Sequence, residues 1–108
     1  MSDQRQEKMN RELTRVFANY IERESNKQSL ITVTRCIITP NYKSVMVYLS
    51  ILPQDKSDVA VAFLNRHKQS ARDYIKQHLR MRVIPFVEFV VDTGELNRQR
   101  IDQLLKGV

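Results

Sequence analysis

The chain has 108 residues and sets 18 Lys plus Arg against 12 Asp plus Glu, a formal charge of +6, so it is one domain's worth of basic protein and favours an anionic partner. Its single cysteine, Cys36, rules out an intrachain disulfide, and with two well-separated histidines, His67 and His78, it makes no zinc set. The opening MSDQRQEKMN is polar where a signal peptide is apolar, and no apolar run approaches the roughly 18 residues that cross a membrane, so a reducing, cytoplasmic setting is expected.

From Asp3 to Glu24, Met9, Leu13, Val16, Phe17, Tyr20 and Ile21 recur at helical spacing, with Lys8, Arg11 and Arg15 opposite. That predicts a long amphipathic helix, and with Glu7, Glu12 and Glu22 among those cations a solvated face is at least as good a reading of its charged side as a secondary RNA contact. Ser25 to Ser29 ends it, and Leu30 to Thr39 is rich in Thr and β-branched residues, as strands are. Ile31 and Val33 share one phase and Cys36 and Ile38 the other, so a bulge is expected near Thr34 and Arg35. Pro40-Asn41-Tyr42-Lys43 carries turn chemistry, and Val45, Val47, Leu49 and Ile51 alternate behind it, which predicts a hairpin.

Pro53 closes the second strand. Asp55 to Asp58 supplies a cap and early acids for a helix holding Val59, Ala62 and Phe63, which continues into Arg66 to Met81 with a kink at Gln69-Ser70-Ala71. Pro85 precedes a third strand, Phe86 to Asp92, with Val87, Phe89 and Val91 inward and Phe86, Glu88 and Val90 outward. Asp92 or Thr93 then caps a final helix through Leu96, Ile101, Leu104 and Leu105. The expected architecture is α+β, a single domain over 1–108 in αββααβ order, with a kinked helix pair and a short C-terminal helix on a three-stranded sheet.

The segment with most to say about function runs from Arg66 to Arg82, where six cations meet one acid in 17 residues. Lys68, Arg72, Lys76 and Arg80 recur every fourth position and form a ridge on one helix, with Arg66 and Arg82 at its ends. Ala71, Ile75 and Leu79 on the adjoining face anchor it to a core. Cations with no local acids to pair them neutralise phosphates and release condensed counterions, which points to RNA or DNA.

Topology and wording together resemble one family. The αββααβ order is that of type II KH RNA-binding domains, and Ile31-Thr32-Val33-Thr34, Val47-Tyr48-Leu49-Ser50, Ala71-Arg72-Asp73-Tyr74-Ile75 and Arg82-Val83-Ile84-Pro85, followed by Phe89 and Asp92, resemble ribosome-binding factor A from about Arg5 to Leu105. The resemblance implies a non-enzymatic bacterial assembly factor. Its partners would be the maturing small (30S) ribosomal subunit and its 16S rRNA, with ribosomal proteins sharing the contact; it would aid 5′-end processing and growth in the cold. KH domains use a GxxG loop between two helices, and this family replaces it with an Ala-x-Gly kink. Here Ala71 matches the alanine while Asp73 stands at the glycine position, where it is a candidate cap for the second half of the helix.

On this reading Arg66, Lys68, Arg72, Lys76, Arg80 and Arg82 contact phosphates, Ser70 and Ala71 permit close approach at the kink, and Lys43 at the hairpin tip adds charge beside Tyr42, which can stack. The alternative is a protein-interaction or self-associating module using an apolar sheet face of Met46, Tyr48, Phe86 and Val90, a face the C-terminal helix would otherwise cover. Salt dependence, and an Arg72→Glu, Lys76→Glu reversal, separate the two. An enzyme finds little support: there is no glycine-rich phosphate loop, Cys36 has no base beside it, and Glu88 and Asp92 are expected on opposite faces of their strand. No cofactor or metal is expected, and the free protein is expected to be a monomer.

Overall fold

The computed structural model describes residues 4–24 and 29–93. Helix α1 (Gln4–Glu24) forms where the apolar period is longest, and Leu13, Val16, Phe17, Tyr20 and Ile21 are buried along it. Strands β1 (Leu30–Ile38) and β2 (Ser44–Leu52) make the expected hairpin. Its tip is an Asx-turn: the Asn41 carboxamide oxygen accepts the Lys43 N–H at 3.0 Å and the Thr39 hydroxyl at 2.7 Å. Tyr42 sits there at φ 60°, and its side chain packs against the core. The bulge falls where the phase change requires it, because Val33 pairs with Leu49 and Arg35 with Tyr48, leaving Thr34 as the extra residue. Val33 and Cys36 are both buried as a result.

Beyond Pro53 the chain departs from expectation. A 3₁₀ turn (Gln54–Lys56) comes first, α2 (Ser57–Arg66) starts without a side-chain cap, and Val59 is 69% exposed. The residue that fixes α2 to the core is Leu64, helped by Ala60 and Val61 one turn back and by Phe63 beside it, while Ala62 faces solvent. The break between α2 and α3 (Lys68–His78) lies at His67, not at Gln69-Ser70-Ala71. The small residues serve another end: Ala71 is fully buried and the Ser70 hydroxyl bonds Tyr20, so their size lets α3 lie close to α1. Asp73 is no cap either; it lies within α3 and accepts a 3.0 Å hydrogen bond from Gln69.

Helix α3 ends at His78 because Leu79 turns extended to bury part of its side chain against the core. Arg80 and Arg82 therefore leave the helix and ride on the 79–85 loop that leads into β3 (Phe86–Val91). Strand β3 runs parallel to β2, giving the mixed order β1-β2-β3. The helices cover one sheet face, where Phe17 meets Phe89 edge-on at 5.9 Å. The final helix expected through Leu96, Ile101, Leu104 and Leu105 lies outside the described residues.

Both open sheet edges meet polar side chains from the helices. On β1, the Ile38 N–H donates to Asn10 at 2.8 Å, Gln6 donates to the Ile38 carbonyl at 3.2 Å, and the Cys36 N–H donates to Thr14 at 3.1 Å. On β3, Phe86 and Asp92 donate to β2, so the alternate residues face outward, and Asn65 takes both the N–H (2.9 Å) and the carbonyl (3.0 Å) of Phe89. Edges closed in this way resist pairing with a further strand.

Candidate nucleic-acid interface

The nine residues expected at an RNA contact separate into three groups. Ala71 is fully buried and cannot touch a ligand, and Ser70, beside it, is exposed but engaged with Tyr20. Lys68 and Arg72 are not the unpaired cations that local sequence suggested. The Lys68 ammonium lies 2.6 Å from Glu88, twenty residues away on β3, and Arg72 donates to the Ile84 carbonyl at 2.9 Å, the Pro85 carbonyl at 3.1 Å and the Gln69 side chain at 3.3 Å. The reason is architectural. The 79–85 loop has no ladder of its own, its carbonyls need donors, and an arginine one turn into α3 supplies them in a fixed fork.

Arg66, Lys76, Arg80, Arg82 and Lys43 form the third group. All five are exposed, and among the described residues none makes a side-chain hydrogen bond or ion pair. Arg66 sits at the helix break, Lys76 near the end of α3, Arg80 and Arg82 on the loop that Arg72 holds, and Lys43 at the hairpin tip. That tip is tied to the start of β3, since the Lys43 carbonyl accepts the Phe86 N–H at 2.8 Å.

Other titratable groups are structural. Burial pushes the Cys36 thiol up to about 12, so it stays protonated and unreactive at neutral pH. Burial likewise raises Tyr20 and Tyr48, the latter with the Arg35 guanidinium 4.5 Å above its ring. His67 packs on Phe63 and His78 stacks on Tyr74 at 3.9 Å. Among the described residues no group of three or more His, Cys, Asp or Glu is placed to hold a metal, and no helix is long and apolar enough to cross a membrane. Glu88 and Asp92, expected on opposite faces, share the even-numbered phase of Phe86 and Val90; their partners separate them, Lys68 taking the first while Thr34, at 2.6 Å, and Arg35 take the second.

Sequence reasoning missed Asn65, and it placed Phe86 on the outward apolar face without its arginine partner. An asparagine in a helix carries no periodic signal that it will clamp a strand edge. Phe86 points outward as its strand phase predicts, but its 66% exposure beside a fixed arginine, 4.8 Å from the ring centroid, depends on contacts across fourteen residues.

A three-stranded mixed sheet in αββααβ order, with its helix pair broken at His67, defines a type II KH-like module. A family model described as ribosome-binding factor A matches residues 5–105, and the chain belongs to that family. It is similar to ribosome-binding factor A of Thermodesulfovibrio yellowstonii, 33% identical over 72% of this chain and 66% of that one. The factor of Syntrophomonas wolfei is 29% identical over the full chain and 93% of its own length. Among solved structures, the crystal structure of ribosome-binding factor A from Thermus thermophilus superposes with a TM-score of 0.75 at 20% identity, covering 82% of this chain and 98% of that one. A Thermus thermophilus ribosome-binding factor A homology model fitted into a cryo-EM map of a complex with the 30S subunit superposes at 0.67, with 22% identity over 75% and 88% of the two chains.

Proposed function

We propose that this protein is a non-catalytic bacterial assembly factor that binds the immature 30S subunit and its 16S rRNA in the cytoplasm and assists late maturation and 5′-end processing. The observation that carries the reading is the set of exposed cations that make no side-chain hydrogen bond or ion pair among the described residues of a KH-like module: Arg66, Lys76, Arg80, Arg82 and Lys43. Family membership supports the ribosomal partner, as does the placement of the Thermus factor in a 30S complex. Phosphate neutralisation gives affinity, and the shape of the RNA gives register. Processing is then indirect: the factor holds RNA in a form that nucleases cut correctly. Ribosomal proteins can share the site, and the free factor acts as a monomer.

Co-sedimentation with ribosomal particles at moderate salt tests this reading. The wild type is expected on small subunits carrying unprocessed rRNA, and a Lys76→Glu, Arg80→Glu, Arg82→Glu variant is expected to remain unbound. Reversing Arg72 is a poorer test, because Arg72 holds the loop and its loss mixes folding with binding. Retention of the triple variant would show that these exposed cations are not the contact.

A further inference from the structure

The sheet face turned away from the helices is occupied at its centre and bare at one corner. At the centre Tyr48 is buried, with the Arg35 guanidinium 4.5 Å from its ring centroid. At the corner Leu30 and Leu52 pair across β1 and β2, stay 64% and 54% exposed, and take no part in the core. Strand β3 stops short of them: its register with β2 ends at Leu49 and Val91, while β2 runs on to Leu52. A groove of about 450 Å³ lies beside the overrun, between Ser50 and Leu52 on β2, Ser57 and Asp58 at the start of α2, and Thr93, where the described residues end. We propose that this groove and the leucine corner are the seat of the chain's own residues 94–108, with Leu96 in the groove and Ile101, Leu104 and Leu105 over Leu30 and Leu52. The proposal is independent of the RNA-binding reading.

Position, reach and apolar pattern fit this occupant. Leu96 comes three residues after Thr93, which already lines the groove. Ile101, Leu104 and Leu105 follow at i, i+3 and i+4, the spacing of one apolar helical face. Ile101 lies eight residues beyond Thr93, a tether that spans up to roughly 28 Å, against about 4.8 Å from one strand to the next. Both exposed leucines are therefore within reach, and each side of the contact offers apolar surface that water otherwise covers.

Charge selects the same occupant over nucleic acid. Asp58 stands in the groove wall and Asp55 three residues before it; both are exposed, and neither makes an ion pair among the described residues. A phosphate is repelled by this rim, whereas Arg98 and Arg100, two and four residues after Leu96, bring the opposite charge to it. A second copy of the chain carries the same residues but has to be recruited from solution. A segment tethered this closely meets its seat at an effective concentration on the order of millimolar, so the intramolecular contact forms first.

The test labels thiols with N-ethylmaleimide in the full chain, where Cys36 is buried and stays silent. Leu52→Cys reports the seat, and Val83→Cys, exposed on the 79–85 loop, reports the rest of the surface. Each is combined with Ile101→Asp, Leu104→Asp and Leu105→Asp, which put charge on the apolar face of the segment. Labelling of Leu52→Cys is expected to speed up roughly 10-fold or more when the charges release the segment, because the rate follows the fraction of time the seat is open. Val83→Cys is expected to label at one rate in both backgrounds. Equal rates for Leu52→Cys with and without the charges would overturn the seat, and so would an equal acceleration at Val83→Cys, which would mean a general loosening. Protection of Leu52→Cys that deepens with protein concentration would overturn it too, by assigning the corner to a second copy.

Discussion

The first cations of α3 and those that follow them differ in what holds them. Lys68 and Arg72 reach across to β3 and its entrance, one to Glu88 and the other to two loop carbonyls, and spend their charge inside the fold. Lys76, Arg80 and Arg82 have no such partner among the described residues. Four-residue spacing makes the two sets look alike in sequence. The difference teaches that a count of cations overstates a binding site wherever the neighbouring loop lacks donors for its own carbonyls, because the nearest arginine is drawn to them. The two sets remain linked, since the loop that Arg72 fixes is the loop that carries Arg80 and Arg82.

The sharpest way to break this comparison is Arg72→Ala. Hydrogen bonds from a charged donor to part-buried carbonyls are worth about 1.5–3 kcal/mol, and the Phe86 contact goes with them, so the unfolding free energy in urea is expected to fall by about 2–3 kcal/mol. A loss below about 0.5 kcal/mol, the usual scale of an uninvolved surface change, would put Arg72 back among the free cations. Lys68→Ala is expected to cost less. The side chains of Lys68 and Glu88 are 39% and 48% exposed, so the pair is worth at most about 1 kcal/mol, and adding salt should shrink that further. A double-mutant cycle with Glu88→Gln reads the pair term directly, and a coupling near zero would mean the ion pair is ornamental.

The fold was legible because its elements carry their own periods. Helix α1, the hairpin and its bulge follow from apolar spacing and from the phase change between Val33 and Cys36. What sequence misplaced lies between Pro53 and Pro85. There the helix break moved to His67, since Ser70 and Ala71 are small for packing against α1 rather than for a kink. The candidate site was legible only as charge density: which of those cations remain free depends on Glu88, Ile84 and Pro85, all more than ten residues away, and i,i+4 reasoning cannot reach them. Asn65 and the pairing of Phe86 with Arg72 were missed for the same reason: one closes a strand edge and the other crosses fourteen residues, and neither exists until β3 lies beside the helices.

The free cations give the smallest effect on stability and the clearest reading of function. Lys76→Ala, Arg80→Ala and Arg82→Ala are each expected to leave the unfolding free energy within about 0.5 kcal/mol of wild type, because no described contact is lost. On single-stranded RNA, removing one phosphate contact flattens the slope of log K against log salt by about 0.7. Each of the three should do so singly, and the triple variant should flatten it by roughly the sum. Arg72→Ala, assayed where it is still folded, should lower affinity through misplacement of the loop while leaving Lys76 and its own share of the slope in place. Equal slope changes from all four residues would mean that Arg72 leaves its carbonyls for phosphate when RNA arrives, and the division between structural and free cations would then hold only for the unbound protein.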